Sequence, residues 1–177
     1  MTADALSLFL GRWAASGASE RANKDLFLAE LCDVLGVPRP DPATGDPDRD
    51  LYVFERDSVM QVEGGKISIG HIDLYKDGCF LLEAKQGSAA DSKKRGTARR
   101  ETPGWAIAMQ AALGQALSYA RTLTNPPPFL IVADIGFCFD LYASFDGSTN
   151  YRPFPRPQGS RIFFKDLPAH LETLRRV

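Results

Sequence analysis

Only three cysteines occur in 177 residues, Cys32, Cys79 and Cys138, odd in number, far apart and each inside an apolar segment. They exclude a disulfide framework and a zinc site, and they read as reduced thiols of a cytoplasmic protein. With two histidines in the chain there is no His cluster for a small-molecule metallohydrolase. Excess charge of either sign is missing too. The net charge is −1, so a wholesale nucleic-acid coat is excluded and any DNA contact falls to a local patch. No apolar run approaches the roughly 20 residues that span a bilayer, and the short run Ala5–Leu10 lacks the basic leader of a signal peptide. There are no internal repeats. No glycine-rich cofactor loop precedes Asn125-Pro126-Pro127-Pro128, so that segment reads as a helix stop and not as the amine-holding loop of an adenine methyltransferase. What is present, 44% hydrophobic and 24% charged residues, fits one soluble globular domain with a real core.

In chain order, Ala3–Trp13 predicts an amphipathic helix with Leu6, Phe9, Leu10 and Trp13 on one side. Ser16-Gly17-Ala18-Ser19 breaks it, and Ser19 caps a second helix running to about Leu35, where Gly36 and Pro38 end it. Phe27, Leu31, Val34 and Leu35 make the apolar stripe of that helix. At 100° per residue Glu20 falls within about 20° of Phe27 and Leu31, an acid aimed inward from the first turn. Residues 38–50 form a turn-rich, solvated loop. Leu51–Val62, Ile67–Tyr75 and Cys79–Ala84 read as a three-stranded antiparallel meander. Gly87–Gly104 is the most polar stretch and carries Lys93, Lys94, Arg95, Arg99 and Arg100. Thr102 caps, and Pro103 opens, a helix from Trp105 to about Leu123, with Gln115 and Tyr119 one turn apart on its flank. Phe129–Asp134 and Phe137–Ser144 read as strands, the first apolar throughout as burial on both faces requires, with Asp134 and Asp140 as turn and rim residues. A Pro/Gly-rich loop, a short strand Arg161–Phe164 and a last helix capped by Asp166 complete the chain; His170 on that helix has no partner that would make it a ligand. This order predicts an α/β fold, a mixed sheet flanked by helices. Residues 1–18 are the N-terminal helix and linker, 19–144 the core, and 145–177 the loop and C-terminal helix.

The stretch Gly70–Gln86, GHIDLYKDGCFLLEAKQ, carries the chemistry. Glu83 and Lys85 are two apart, so on a strand they leave the same face. A three-residue loop Lys76-Asp77-Gly78, closed by Gly78 in the left-handed region, pairs Tyr75 with Cys79 and places 73 opposite 81. In that register Asp73, Glu83 and Lys85 share one face, and Ile72, Leu74, Phe80, Leu82 and Ala84 share the other. Two carboxylates offer hard oxygen ligands to Mg²⁺, and a neighbouring ammonium can orient the attacking water and offset phosphate charge. The basic stretch that follows would overhang the site and contact phosphates.

Asp73 followed by Glu83-Ala84-Lys85 resembles the motif of the PD-(D/E)XK nuclease superfamily, and Gln115-x-x-x-Tyr119 resembles the helical motif of its RecB-like branch. Further matches are Trp13, Ser19-Glu20-Arg21-Ala22, the segment from Phe27 to Cys32, Leu35-Gly36-Val37 and Tyr52-Val53-Phe54-Glu55 before the hairpin. Phe154-Pro155, Phe163 and Asp166-Leu167 follow it. In this order the whole chain resembles the N-terminal nuclease domain of type IIL restriction–modification enzymes, large polypeptides that join an endonuclease, a helical spacer, an adenine methyltransferase and a target-recognition region. The resemblance implies a PD-(D/E)XK core and a Mg²⁺-dependent DNA endonuclease acting in phage defence, with Mn²⁺ as a substitute ion. It implies Asp73, Glu83 and the Ala84 carbonyl as metal ligands, Lys85 as the water-orienting cation, Glu20 as an accessory acid, and Gln86, Gln115 and Tyr119 as supporting residues. Double-stranded DNA is the implied partner, a second copy is needed for a double-strand break, and S-adenosylmethionine belongs to parent domains outside this chain. The 177 residues are then expected to be a domain excised from a longer protein or a stand-alone relative. The alternative is a catalytically silent nuclease-fold module that binds DNA or another protein.

Overall fold

A computed structural model describes residues 3–16, 20–62, 66–88 and 98–177. Its elements are helices α1 (Ala3–Ala14) and α2 (Glu20–Leu35), strands β1 (Tyr52–Val62), β2 (Lys66–Lys76) and β3 (Phe80–Lys85), helix α3 (Pro103–Ala120), strands β4 (Phe129–Asp134), β5 (Cys138–Ala143), β6 (Arg152–Pro153) and β7 (Arg161–Phe163), and helix α4 (Leu167–Arg175). The strands form one mixed sheet in the order β1-β2-β3-β4-β5-β6, with β7 also on β5. β3 and β4 are parallel, joined by α3 as a crossover, and the other pairs are antiparallel. The expected α/β class and mixed sheet flanked by helices are therefore present. The two-residue β6 lies where the sequence predicts only loop.

Each face of the sheet buries its own cluster. Leu82 and Ala84 of β3, Ile131 and Ala133 of β4, and Phe139 and Leu141 of β5 pack with α1, α2 and Leu167 and Leu174 of α4. Phe27, fully buried, lies at the centre, with Phe9, Trp13, Phe139 and Phe164 around its ring at centroid distances of 5.1–6.1 Å. On the opposite face Leu81, Leu130, Val132 and Cys138 pack with Trp105, Met109, Leu113 and Ala116 of α3. β3 and β4 are covered on both sides, so the apolar reading of Phe129–Asp134 holds.

The signals at the start of α3 and the end of α2 act as their chemistry requires, and the predicted Ser19 cap lies outside the described residues. The Thr102 hydroxyl accepts from the Trp105 N–H at 3.3 Å and Pro103 opens α3. α2 ends with Gly36 at φ 70°, where the Val37 N–H bonds the Cys32 carbonyl and the Gly36 N–H bonds that of Asp33. This double closure satisfies carbonyls that the helix end leaves open. Asp166 is a correction. It makes no side-chain cap, because the 3₁₀ turn Phe164–Asp166 leads directly into α4. Asp140 is no rim residue either: it is buried and accepts both Nε and Nη2 of Arg161 at 2.6 Å.

The hairpin register also differs from the expected one. Lys76 pairs with Phe80, Tyr75 with Leu81 and Leu74 with Leu82, so the loop is Asp77-Gly78-Cys79 with Gly78 at its centre, φ 63°. The pairing is two residues out from the sequence-based register, an even number, so β3 keeps its alternation. β2 does not: Leu74 lies in the α2 cluster and Ile72 in the α3 cluster, although the two are separated by one residue. The alternation reverses at Asp73, opposite Glu55, where β1 takes a φ of 52°.

Candidate functional site

The β2–β3 ladder stops one step short of Asp73 and Glu83. Continued by one residue, the register sets those two directly opposite each other, closer than the sequence-based register would. There the Asp73 side chain takes over from the backbone: its Oδ2 accepts the Ala84 N–H at 2.7 Å. Asp73 is 8% exposed and Glu83 1%. Asp73 thereby reaches the backbone of β3 one residue beyond Glu83, at the point where the two strands part.

Each carboxylate has an ammonium. Lys85 Nζ donates to Glu83 Oε1 at 2.8 Å, and the pair projects on the α3 side of β3. Asp73 turns instead to α2, so the three side chains do not share the one face that the sequence-based register predicts. Lys24 Nζ, from the second turn of α2, donates to Asp73 Oδ1 at 2.8 Å and also pairs with Glu55. Charged pairs this well shielded persist because each ion's desolvation is offset by its partner. Sequence reasoning missed Lys24. The signal was the one applied to Glu20: at 100° per residue Lys24 falls within about 20° of Leu31, a lysine inside an apolar stripe.

The supporting residues fall into separate groups. Gln86 is buried, and its Oε1 accepts from Asn23 of α2 at 3.3 Å; Asn23 also donates to Ser16 Oγ at 2.7 Å. Gln86 thereby ties the end of β3 to the same helix that carries Lys24. Gln115 donates to the Tyr119 hydroxyl at 3.0 Å. Tyr119 is buried beside Gly70 of β2, where a Cβ would come within 2.6 Å of its ring. That pair braces β2 three residues before Asp73. The Glu20 side chain, and Lys93, Lys94 and Arg95, lie outside the described residues.

The stem of the basic stretch is built firmly. The Ser88 N–H bonds the Ala98 carbonyl and the Arg100 N–H bonds the Ser88 carbonyl, both at 3.0 Å. Asp134, expected as a turn residue, is 1% exposed and gathers this stem: it accepts from the Gly87 N–H at 3.1 Å, from Trp105 Nε1 at 2.7 Å and from Arg100 Nη2 at 2.9 Å. Arg100 also donates to the Ile135 carbonyl and lies over the Phe137 ring. Its guanidinium therefore faces the protein and Arg99 faces outward. The stem leaves directly from the Glu83/Lys85 strand.

Among the described residues no group of three or more His, Cys, Asp or Glu side chains is assembled to hold a metal. Two carboxylates beside a backbone carbonyl are a donor set for a hard ion that keeps waters and takes phosphate oxygens, which is the habit of Mg²⁺. No helix is long and apolar enough to cross a membrane, among the described residues.

No curated protein and no solved structure matches the chain. A family model, described as the N-terminal domain of MmeI, matches residues 1–177. The chain belongs to that family, the N-terminal domains of type IIL restriction–modification enzymes.

Proposed function

We propose that this domain is the Mg²⁺-dependent endonuclease of a restriction–modification enzyme, with a PD-(D/E)XK site made by Asp73, Glu83 and Lys85. The observation that carries the reading is the hydrogen bond from the Ala84 N–H to Asp73 Oδ2, which ties Asp73 to β3 one residue beyond Glu83, with Lys85 on Glu83. Asp73, Glu83 and the Ala84 carbonyl would hold the ion, and Mn²⁺ would substitute. When bound, the ion neutralises charge on the scissile phosphate and acidifies an attached water.

The protein's own groups set the geometry. The Ala84 N–H holds Asp73 Oδ2 against β3 and so fixes the orientation of the carboxylate. Lys85, held by Glu83, presents N–H donors to the attacking water and to a non-bridging phosphate oxygen. As the water oxygen bonds to phosphorus, the P–O bond to the leaving sugar oxygen breaks; the attacking water gives up a proton to solvent and the leaving oxygen takes one up from solvent. Gln86, Gln115 and Tyr119 position the strands, and Glu20 is an accessory acid. Arg99 with Lys93, Lys94 and Arg95 contacts phosphates, while Arg100 anchors their stem. Double-stranded DNA is the substrate. Methyltransferase and target-recognition domains of the parent chain supply specificity, and a second copy supplies the second cut.

The test is plasmid cleavage by the parent enzyme with Mg²⁺. Asp73→Ala, Glu83→Ala and Lys85→Ala are each expected to abolish cleavage while methylation and folding persist, and Glu20→Ala to weaken it less. A Lys85→Ala enzyme that cuts at the unaltered rate would remove the assignment.

A further inference from the structure

We propose that Lys24 is a built-in counter-cation of this site, holding Asp73 before the divalent ion binds and leaving it when the ion arrives. The inference rests on the metal-dependent reading above, and it adds a residue that the Asp…Glu-x-Lys motif does not contain.

Asp73 has two oxygens with different commitments. Oδ2 accepts from the backbone of β3 at 2.7 Å, a partner that cannot leave while the sheet stands. Oδ1 accepts from the end of a four-carbon side chain, Lys24 Nζ, at 2.8 Å. The backbone of Lys24 is fixed, since Phe27, one turn on, is fully buried. Its stem is not, because lysine is a flexible point charge. A divalent ion bonded to the Asp73 carboxylate at about 2 Å would place like charges within a few ångströms of each other in a site shielded from water. One of them must move, and the ammonium is the tethered, flexible one.

The site provides somewhere for it to go. Glu55 already pairs with Lys24, and Asp25 Oδ1 lies 3.7 Å from Nζ. Both have side chains more exposed than that of Asp73, at 47% and 58% against 12%. Lys24 can therefore slide from Asp73 towards Glu55 and Asp25 without ever being an unpaired buried charge, which would cost far more than the exchange. Glu55 is held opposite Asp73 by a φ of 52°, a conformation uncommon outside glycine. The neighbours that face Lys24 are thus three carboxylates from three elements, α2, β1 and β2.

Lys24 acts through Asp73, so it is a positioning residue, and its signature is competition with the ion. Mn²⁺ binding to the protein, followed by the electron paramagnetic resonance of free Mn²⁺, is the readout. Lys24→Met is expected to bind Mn²⁺ about tenfold more tightly than the unaltered protein, from removal of one competing unit charge. Lys24→Arg, which keeps the charge, should stay close to the unaltered affinity, and Asp73→Ala should lose the ion. A Lys24→Met protein that binds equally or more weakly, with Asp73→Ala still defective, overturns the counter-cation and leaves the metal site standing. Failure of every variant to bind overturns both. The unaltered protein gives a second measurement that does not depend on Lys24→Met folding. In brief acetic anhydride labelling read by mass spectrometry, Lys24 is expected to react several-fold faster once Mg²⁺ is added. Unchanged protection of Lys24 with saturating Mg²⁺ would refute the displacement.

Discussion

Asp134→Ala is expected to be among the most damaging single changes in the molecule, and its size follows from what it strands. The carboxylate is 1% exposed and serves three donors: the Gly87 N–H, Trp105 Nε1 and the Arg100 guanidinium. Arg100 is itself only 14% exposed, so losing its partner leaves a largely buried positive charge. Breaking such a pair costs about 3–5 kcal/mol. The Trp105 and Gly87 donors would add about 1–3 kcal/mol each if no water reached them, although losses sharing one acceptor do not add. A net loss of about 4 kcal/mol is the expectation, against a total stability of roughly 5–15 kcal/mol for a domain. In urea, with a slope near 2 kcal/mol/M, the midpoint should fall by about 2 M at constant slope. Arg100→Met should cost a similar amount, because it leaves Asp134 unpaired by charge. Combined with Asp134→Ala it should cost less than the sum by about 2 kcal/mol or more. A midpoint shift below about 0.5 M for Asp134→Ala, or strict additivity, would refute this account of the stem.

Three further outcomes are expected. Phe27→Ala removes the ring that joins α1, α2, β5 and the turn before α4, and should lower the melting temperature by roughly 10 °C through a loss of about 3–5 kcal/mol. Gly136→Ala should cost about 2–4 kcal/mol, since φ is 72° and a Cβ would lie 2.5 Å from the Trp13 carbonyl; Gly147→Ala, at φ 75° in open space, should cost about 1. Equal melting temperatures for those two variants would deny the close approach. The Thr44 N–H, with the Thr44 hydroxyl and the Gly45 N–H, holds the Asp50 carboxyl below its ordinary range. Its folded-state pKa lies below its unfolded value of about 3.9, so the stability it lends is fully present above that value and is lost as pH falls through the folded one. The urea-midpoint gap between the unaltered protein and Asp50→Asn should therefore be widest near neutrality and narrow at acid pH, and a pH-independent gap would contradict it.

The parts of the fold that could be read from the sequence are those whose signals are local. Alternation located the meander, an uninterrupted apolar run marked β4, and Thr102-Pro103 and Gly36 marked helix ends by backbone chemistry within one turn. The hairpin register was misplaced because Gly78 fits either the end or the centre of a three-residue loop, and neighbouring strands decide between them. The site fared in the same way. Asp73, Glu83 and Lys85 were legible as charges interrupting apolar runs. Lys24 was not, since its meaning depends on α2 lying across Asp73, a contact between residues 49 positions apart. Asp134 looked like a strand-end turn residue for the same reason: its partners, Trp105 and Arg100, come from the crossover connection. The reversal of alternation at Asp73 has no signal in the neighbouring sequence, because it is set by the bend of β1 at Glu55 on the facing strand.

The parallel pairing of β3 with β4 bears on how the chain is made. β3 is laid down with the meander, yet the strand that completes its other edge ends about fifty residues later, several seconds of synthesis at roughly 5–20 residues per second. Through that interval Phe80–Lys85 presents one row of unpaired N–H and C=O groups on a mostly apolar segment, the kind of edge that recruits other chains. The nascent protein is therefore most vulnerable to aggregation between the emergence of β3 and that of β4. Conditions that slow translation across residues 86–134 should lower its soluble yield more than equal slowing before residue 66 or after residue 143.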